Sequence, residues 1–181
     1  RMSRLVADLL LLARMDAGVR LEMQPVELDT LLLEVYRQSC VVSSGVEVRL
    51  GHEDQATAMG DGDRLRQLFL NLMDNALKYT PSGGQVTLSL YRDDGWARVE
   101  VADTGIGIPA EDLQIGPRGV PLIFERFYRA DRDRSRSRGG AGLGLSIAYW
   151  IAKAHGGEIT VKSQVGQGTT FTVRLPLHLS A

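Results

Sequence analysis

Residues 85–91 and 96–102 alternate apolar and polar side chains on either side of Asp93-Asp94-Gly95. Period-two alternation across a turn of that composition specifies a β-hairpin with one buried face. A second hairpin is predicted from 159–162 and 169–175, closing around Gly166-Gln167-Gly168. Elsewhere the apolar period is that of a helix. Residues 63–79 run to the breaker cluster Thr80-Pro81-Ser82-Gly83-Gly84, and 143–155 run to Gly156-Gly157. Upstream, the pattern predicts a helix over 28–40 with Asp29 near its start, and short strands over 21–26, 46–50 and 56–60. Residues 103–142, rich in Gly, Arg and Pro, read mostly as loop. Strands that come in hairpins with helices between them argue against a parallel doubly wound sheet. They point to an α/β (α+β) sandwich, a mixed, largely antiparallel sheet covered by helices on one face.

The chain can supply one such domain. Its 181 residues are 44% hydrophobic and 24% charged, near the globular average. One cysteine, Cys40, excludes an internal disulfide framework and a Cys-based zinc centre. With 21 basic and 22 acidic residues, the net charge of −1 gives no global reason for nucleic-acid binding. No stretch reaches the roughly 18–20 uninterrupted apolar residues of a membrane span. The best candidate, 5–13, is broken by Asp8, and no secretory signal is present. Residues 1–17 read as a helix whose narrow apolar seam comprises Met2, Leu5, Leu9 and Leu12, with Gly18 as its stop. Such a seam suits a helix partner, and equally a helix packed on its own domain.

Three motifs carry chemistry. On the helix 63–79, Asn71, Asn75 and Lys78 fall within an arc of about 60° at the helical period. A carboxamide oxygen is a neutral hard ligand suited to Mg²⁺ that already carries phosphate oxygens, and Lys78 offers a point charge one turn on. A solvated helix face explains the same stripe. The second motif, Asp103-Thr104-Gly105-Ile106-Gly107-Ile108-Pro109, follows a strand directly. Its carboxylate accepts hydrogen bonds only, as needed to read an exocyclic amine such as adenine's, and its glycines permit close approach to a flat ring. A tight turn with a capping aspartate is the alternative, and Pro109 before Glu111 and Asp112 looks like a helix start.

The third motif, Gly139-Gly140-Ala141-Gly142-Leu143-Gly144-Leu145, leads into a helix. Backbone N–H groups there could face an anion, aided by the helix dipole; a flexible linker is the other reading. The spacing matches neither a Walker A loop nor a Rossmann fingerprint. Between the second and third motifs, Ile123-Phe124-Glu125-Arg126-Phe127-Tyr128-Arg129 opens an Arg-rich run to Arg138. It fits a basic lid over a nucleotide, with Arg126 and Arg129 as contacts, or a solvated loop.

In order and combination, 71–79, 103–109, 123–129 and 139–145 resemble the N, G1, F and G2 boxes of sensor histidine kinases, over about residues 21–177. The resemblance implies the Bergerat ATP-binding fold shared with gyrase, Hsp90 and MutL ATPases. It implies a division into 1–18, the end of a dimerisation and phosphotransfer helix, and 19–181, a catalytic ATP-binding domain. Carried over residue by residue, Asn75 matches the Mg²⁺ ligand, and Asn71 lies near the phosphates. Lys78 and Tyr79 match contacts to phosphate and nucleotide, and Asp103 the carboxylate that reads the adenine amine. Gly105 and Gly107 shape that pocket, while Gly140, Gly142, Leu143 and Gly144 match the lid and its phosphate-facing helix start.

The implied reaction moves the γ-phosphoryl of ATP to a histidine on the dimerisation domain, for relay to a response-regulator aspartate. The implied cofactors are ATP and Mg²⁺. The implied partners are that histidine-bearing domain and the regulator, within a homodimeric parent and without nucleic acid. The implied location is cytoplasmic; membrane anchoring of the parent is common in the family. His52, His155 and His178 lack the context of the family's acceptor histidine, so this chain is expected to bind ATP without phosphorylating itself.

Two departures stand out. Ala141 replaces the usual Thr or Ser, which costs about 1 kcal/mol for one neutral hydrogen bond. Residues 114–120 exceed the usual family spacing by seven, an insertion that a surface loop can absorb. ATP hydrolases of the gyrase, Hsp90 and MutL kind carry a glutamate four residues before the metal-binding Asn; here that position is Asn71, which cannot take a proton. A non-catalytic nucleotide-binding module is the remaining alternative, with an anti-sigma-factor serine kinase as a minor rival.

Overall fold

A computed structural model describes residues 10, 20–128 and 142–178. The predicted helix 1–17 and the boundary at residue 18 therefore lie outside the described residues, Leu10 apart. In chain order the elements are β1 (Gln24–Glu27), α1 (Leu28–Val42), β2 (Glu47–Glu53), β3 (Thr57–Gly60) and α2 (Gly62–Tyr79). There follow β4 (Gln85–Asp93), β5 (Trp96–Asp103), two 3₁₀ turns (Ala110–Leu113 and Leu122–Phe124), α3 (Gly144–Ala154), β6 (Glu158–Gln164) and β7 (Gly168–Pro176).

Strands β2-β4-β5-β7-β6 form one sheet, and β1 pairs with β3 in a separate ribbon. Both predicted hairpins are present, β4 with β5 and β6 with β7. Among the described residues the single parallel pair, β2 with β4, is possible because residues 54–84 supply a crossover through α2. Alternation decides the layers. Val86, Leu88, Val99, Val101, Phe171 and Val173 are buried on one side of the sheet and pack in one core with Leu65, Leu68, Phe69 and Leu72 of α2 and Ile147 and Ile151 of α3. The other side is polar and laced with cations on rings. Arg98 stands 4.0 Å over Tyr91, and Arg174 stands 4.9 Å over Trp96.

Helix α2 starts at Asp61, whose Oδ1 accepts the Arg64 N–H at 3.1 Å. It ends at Thr80, whose hydroxyl and N–H both donate to the Ala76 carbonyl. His155, just past α3, joins the far ends of the two helices. Its Nε2 accepts the Asp61 N–H at 3.0 Å, and Nδ1–H donates to the Ile151 carbonyl at 2.7 Å. Both ring nitrogens are satisfied in the neutral tautomer, which is why a histidine can be buried here.

Some boundaries differ from the sequence reading. The strand predicted over 21–26 is β1 at 24–27, because its partners lie in β3. The helix start predicted at Pro109 yields only a 3₁₀ turn of four residues. The insertion 114–120 is a tight hairpin rather than an open loop: Gly116 N–H donates to the Val120 carbonyl at 2.7 Å, and Leu122 N–H to the Gln114 carbonyl at 2.9 Å. Among the described residues no helix is long and apolar enough to cross a membrane.

Candidate functional site

Strand β5 ends at Asp103, opposite Thr169 of β7. Asp103 falls on the core-facing set of β5 and is only 9% exposed. Its Oδ1 accepts the Gly105 N–H at 2.8 Å and the Thr169 N–H at 3.2 Å. Both bonds go to the same oxygen, and no described residue donates to Oδ2. Among the described residues no fully buried side-chain N or O lacks a partner, so Oδ2 is not itself fully buried. Burial pushes this carboxyl above the usual aspartate value, against the pull of the two N–H bonds. The tight-turn alternative is therefore present as the bond to Gly105, yet it uses only one of the two oxygens.

Close backbone packing explains the glycines that follow. A Cβ on Gly105 would stand 2.6 Å from the Tyr79 carbonyl oxygen, which already accepts the Ile106 N–H at 3.1 Å. Gly107 has φ +72°, and a side chain there would overlap the Gln164 carbonyl. The loop thus rests on the end of α2 and on the β6–β7 turn. Gly166 N–H donates to the Ile106 carbonyl at 2.9 Å, and Ile108 N–H to the Ser163 hydroxyl at 2.8 Å. Thr169 and Ser163 are the positioning residues that sequence reasoning missed. They lie 66 and 55 residues from their partners, and no local pattern marks them.

At the other end of the stripe, Asn71 is 8% exposed and donates through Nδ2 to the Gly144 carbonyl at 3.1 Å. The solvated-face reading does not hold for this residue. One turn on, the half-buried Asn75 amide makes no hydrogen bond with the described residues. Lys78 places Nζ 4.7 Å above the Tyr79 ring. Helix α3 starts at Gly144, with no side-chain cap at Leu143 and no acid in its first turn, so its first N–H groups have no intrahelical partner. Gly142 has φ +71° and its carbonyl accepts the Phe127 N–H at 3.1 Å, which sets the turn bearing Arg126 beside this helix start. The structure therefore brings Asn71, Arg126, Gly142, Leu143 and Gly144 together, and joins Tyr79 to Asp103, Gly105 and Gly107. Arg129 and Gly140 lie outside the described residues.

Such an arrangement can hold an adenine-like edge on Asp103 and phosphates along α2 and the α3 start. No group of three or more His, Cys, Asp or Glu among the described residues could cage a metal ion. A divalent ion here would need oxygens from a ligand, with an amide such as Asn75 adding a neutral donor, a set that fits Mg²⁺ carried by a polyphosphate. Concavities between α1 and the sheet at Leu32, Leu50 and Leu88, and beside Glu27, Arg92 and His178, contain none of these residues.

Residues 60–179 match the family described as "Histidine kinase-, DNA gyrase B-, and HSP90-like ATPase". Sensor protein SrrB of Staphylococcus aureus is 38% identical over 97% of this chain, which spans about 30% of that protein's length. The mycobacterial sensor histidine kinase MprB shares the fold with a TM-score of 0.73 and 29% identity, covering 87% of this chain and 99% of that one. Full-length ShkA, solved in complex with AMPPNP, reaches a TM-score of 0.80 at 34% identity, over 98% of this chain and 36% of that one. With a match that spans residues 60–179, the chain belongs to the histidine kinase-, DNA gyrase B- and HSP90-like ATPase family.

Proposed function

We propose that this chain is the catalytic ATP-binding domain of a sensor histidine kinase. The observation that carries the reading is Asp103, a buried carboxylate with one oxygen tied to two backbone amides and the other left without a donor among the described residues. An acceptor-only group of this kind selects the exocyclic amine of adenine over the carbonyl of guanine. Gly105 and Gly107 keep the adjoining backbone close, and Tyr79 closes the end of α2 beside it. Asn71 and the N–H groups at the start of α3 orient phosphates, with Lys78, Arg126 and Arg129 supplying charge. Asn75 would hold Mg²⁺, which neutralises phosphate oxygens when bound.

Phosphoryl transfer asks the protein for positioning and charge compensation, and these residues offer both. The acceptor is a histidine on a dimerisation domain of the same kinase, and the phosphoryl passes on to a response-regulator aspartate. The parent is a homodimer that resembles the membrane-anchored sensors of the family. The hydrolase reading would need a base at position 71, and Asn71 is instead a neutral amide donating to Gly144. Brisk hydrolysis by the isolated chain that collapses on Asn71→Ala would favour that reading.

The test supplies labelled ATP and a histidine-bearing hairpin in trans. The expected product is an acid-labile, base-stable phosphoprotein on the hairpin, and none on this chain alone. ATP binding without any label on histidine would overturn the kinase assignment. No ATP binding by calorimetry would overturn the site itself and favour a non-catalytic module.

A further inference from the structure

Asp103, Thr169 and Ser163 form one row across three strands. Asp103 of β5 stands opposite Thr169 of β7, and Thr169 stands opposite Ser163 of β6. Directly opposed residues of an antiparallel ladder share a face, with Cβ atoms about 4.5–5.5 Å apart. The row therefore runs along the core side of the sheet, from the carboxylate that reads the base to the outermost strand. Thr169 is 6% exposed, so its hydroxyl pairs inside the fold rather than with bulk water.

The contacts of Ser163 fix where the protons of this row point. Its Oγ has one proton and two lone pairs. It lies 2.8 Å from the Ile108 nitrogen, 3.0 Å from the Gly168 carbonyl oxygen and 2.8 Å from Thr169 Oγ1. The Ile108 N–H can only donate, and the Gly168 carbonyl can only accept. The first uses one lone pair of Ser163, and the second takes its proton. A single lone pair remains, so Thr169 is the donor in the bond between the two hydroxyls. The Thr169 oxygen then keeps only lone pairs, beside a carboxylate that likewise only accepts.

We propose that Ser163 is a positioning residue for base selection, holding the Thr169 proton away from Asp103 so that the base-reading corner presents acceptors alone. This rests on the ATP-binding reading above and adds how the corner separates adenine from a 6-oxopurine. The amine of adenine brings donors and finds acceptors, whereas the carbonyl of hypoxanthine brings an acceptor and finds no donor. Without the Ser163 hydroxyl, the Thr169 proton is released toward Asp103. There it competes with an amine for Oδ2 and can serve a carbonyl instead. Ser163 touches no nucleotide; it acts through Thr169.

The experiment is calorimetric titration of the 181-residue chain, in magnesium buffer, with ATP and separately with inosine triphosphate (ITP). The two ligands share their sugar and triphosphate, so the ratio of affinities isolates the purine edge. Ser163→Ala is expected to narrow the ATP-to-ITP ratio by about twofold to tenfold, the range for one neutral hydrogen bond. Ser163→Thr keeps the hydroxyl and should keep the parent ratio. Thr169→Val removes the proton that Ser163 holds, so adding Ser163→Ala to it should narrow the ratio no further. Ser163→Cys, a weaker partner, covers the event that the alanine variant does not fold, with a smaller narrowing expected. Equal losses for ATP and ITP, an unchanged ratio, a ratio as narrow with threonine as with alanine, or a narrowing that persists beside Thr169→Val would each overturn the proposal. Failure of the unaltered chain to bind ATP would overturn both readings, whereas ATP binding with a ratio indifferent to Ser163 overturns only this one.

Discussion

Replacing Asp103 by asparagine should move stability and nucleotide affinity in opposite directions. A carboxamide keeps an oxygen for the Gly105 and Thr169 N–H groups, now at 2.8 and 3.2 Å, so the turn and the cross-strand bond survive. What disappears is a charge at a position only 9% exposed. Burial raises the native pKa above the ordinary 3.8, so the folded chain binds the proton more readily than the unfolded one. Ionised Asp103 therefore lowers stability at any pH above its native pKa, and that loss is regained as pH falls toward the unfolded value. Without nucleotide, Asp103→Asn should be at least as stable as the parent at neutral pH, and the gap should close as the medium is acidified to about pH 4.

Binding responds the other way. The asparagine NH₂ can take the place of Oδ2, and a donor then meets the donor of adenine. Loss of a hydrogen bond to a charged group costs about 1.5–3 kcal/mol, or about tenfold to 150-fold in Kd. Urea denaturation across this pH range measures the first effect, and calorimetry with ATP the second. The reasoning fails if ATP affinity is unchanged. It fails equally if the variant, free of nucleotide at neutral pH, is destabilised by more than about 1 kcal/mol, since the charge would then be a net stabiliser.

Three further outcomes follow from single contacts. Asn71→Ala should cost about 1 kcal/mol for the lost bond to Gly144, and Asn71→Asp should weaken ATP binding more, because a carboxylate faces both that carbonyl and the phosphates; equal affinities in the two variants would refute this. Gly168→Ala combines φ +114° with overlap of the Asp103 carbonyl, so its thermal unfolding should show a loss beyond the about 1–3 kcal/mol of backbone strain alone. His155→Ala strands the Asp61 N–H, at a cost of about 1–3 kcal/mol in urea. Burial holds the His155 pKa below 6.5, so its contribution is complete above that pH and is lost as pH falls through the lower native value. His155→Gln should lack that acid-dependent component, and an unaltered pH profile would count against the buried neutral ring.

The hairpins and helices were legible because each depends on neighbours in sequence. Alternation at 85–91 and 96–102 marked strands found at Gln85–Asp93 and Trp96–Asp103. The apolar face of 63–79 marked a helix found at Gly62–Tyr79. The site was legible as residue types but not as contacts. Asn71 looked like one member of a polar stripe, and its burial depends on α3 crossing that face. The insertion 114–120 read as a loop, since nothing local announces that Arg118 will close on Glu125 and Phe124.

By itself the sequence determined the periodicities, the turn chemistry and the order of four motifs, and with them the family and the candidate ligand. These are properties of short windows, set by backbone preference and the separation of polar from apolar faces. Tertiary structure decided that β2 runs parallel to β4, that Thr169 reaches Asp103, and that His155 joins the far ends of α2 and α3. Those bonds span tens of residues. They form because buried donors and acceptors must find partners once the core has closed, and which partners lie within reach is a property of the packed chain rather than of any window within it.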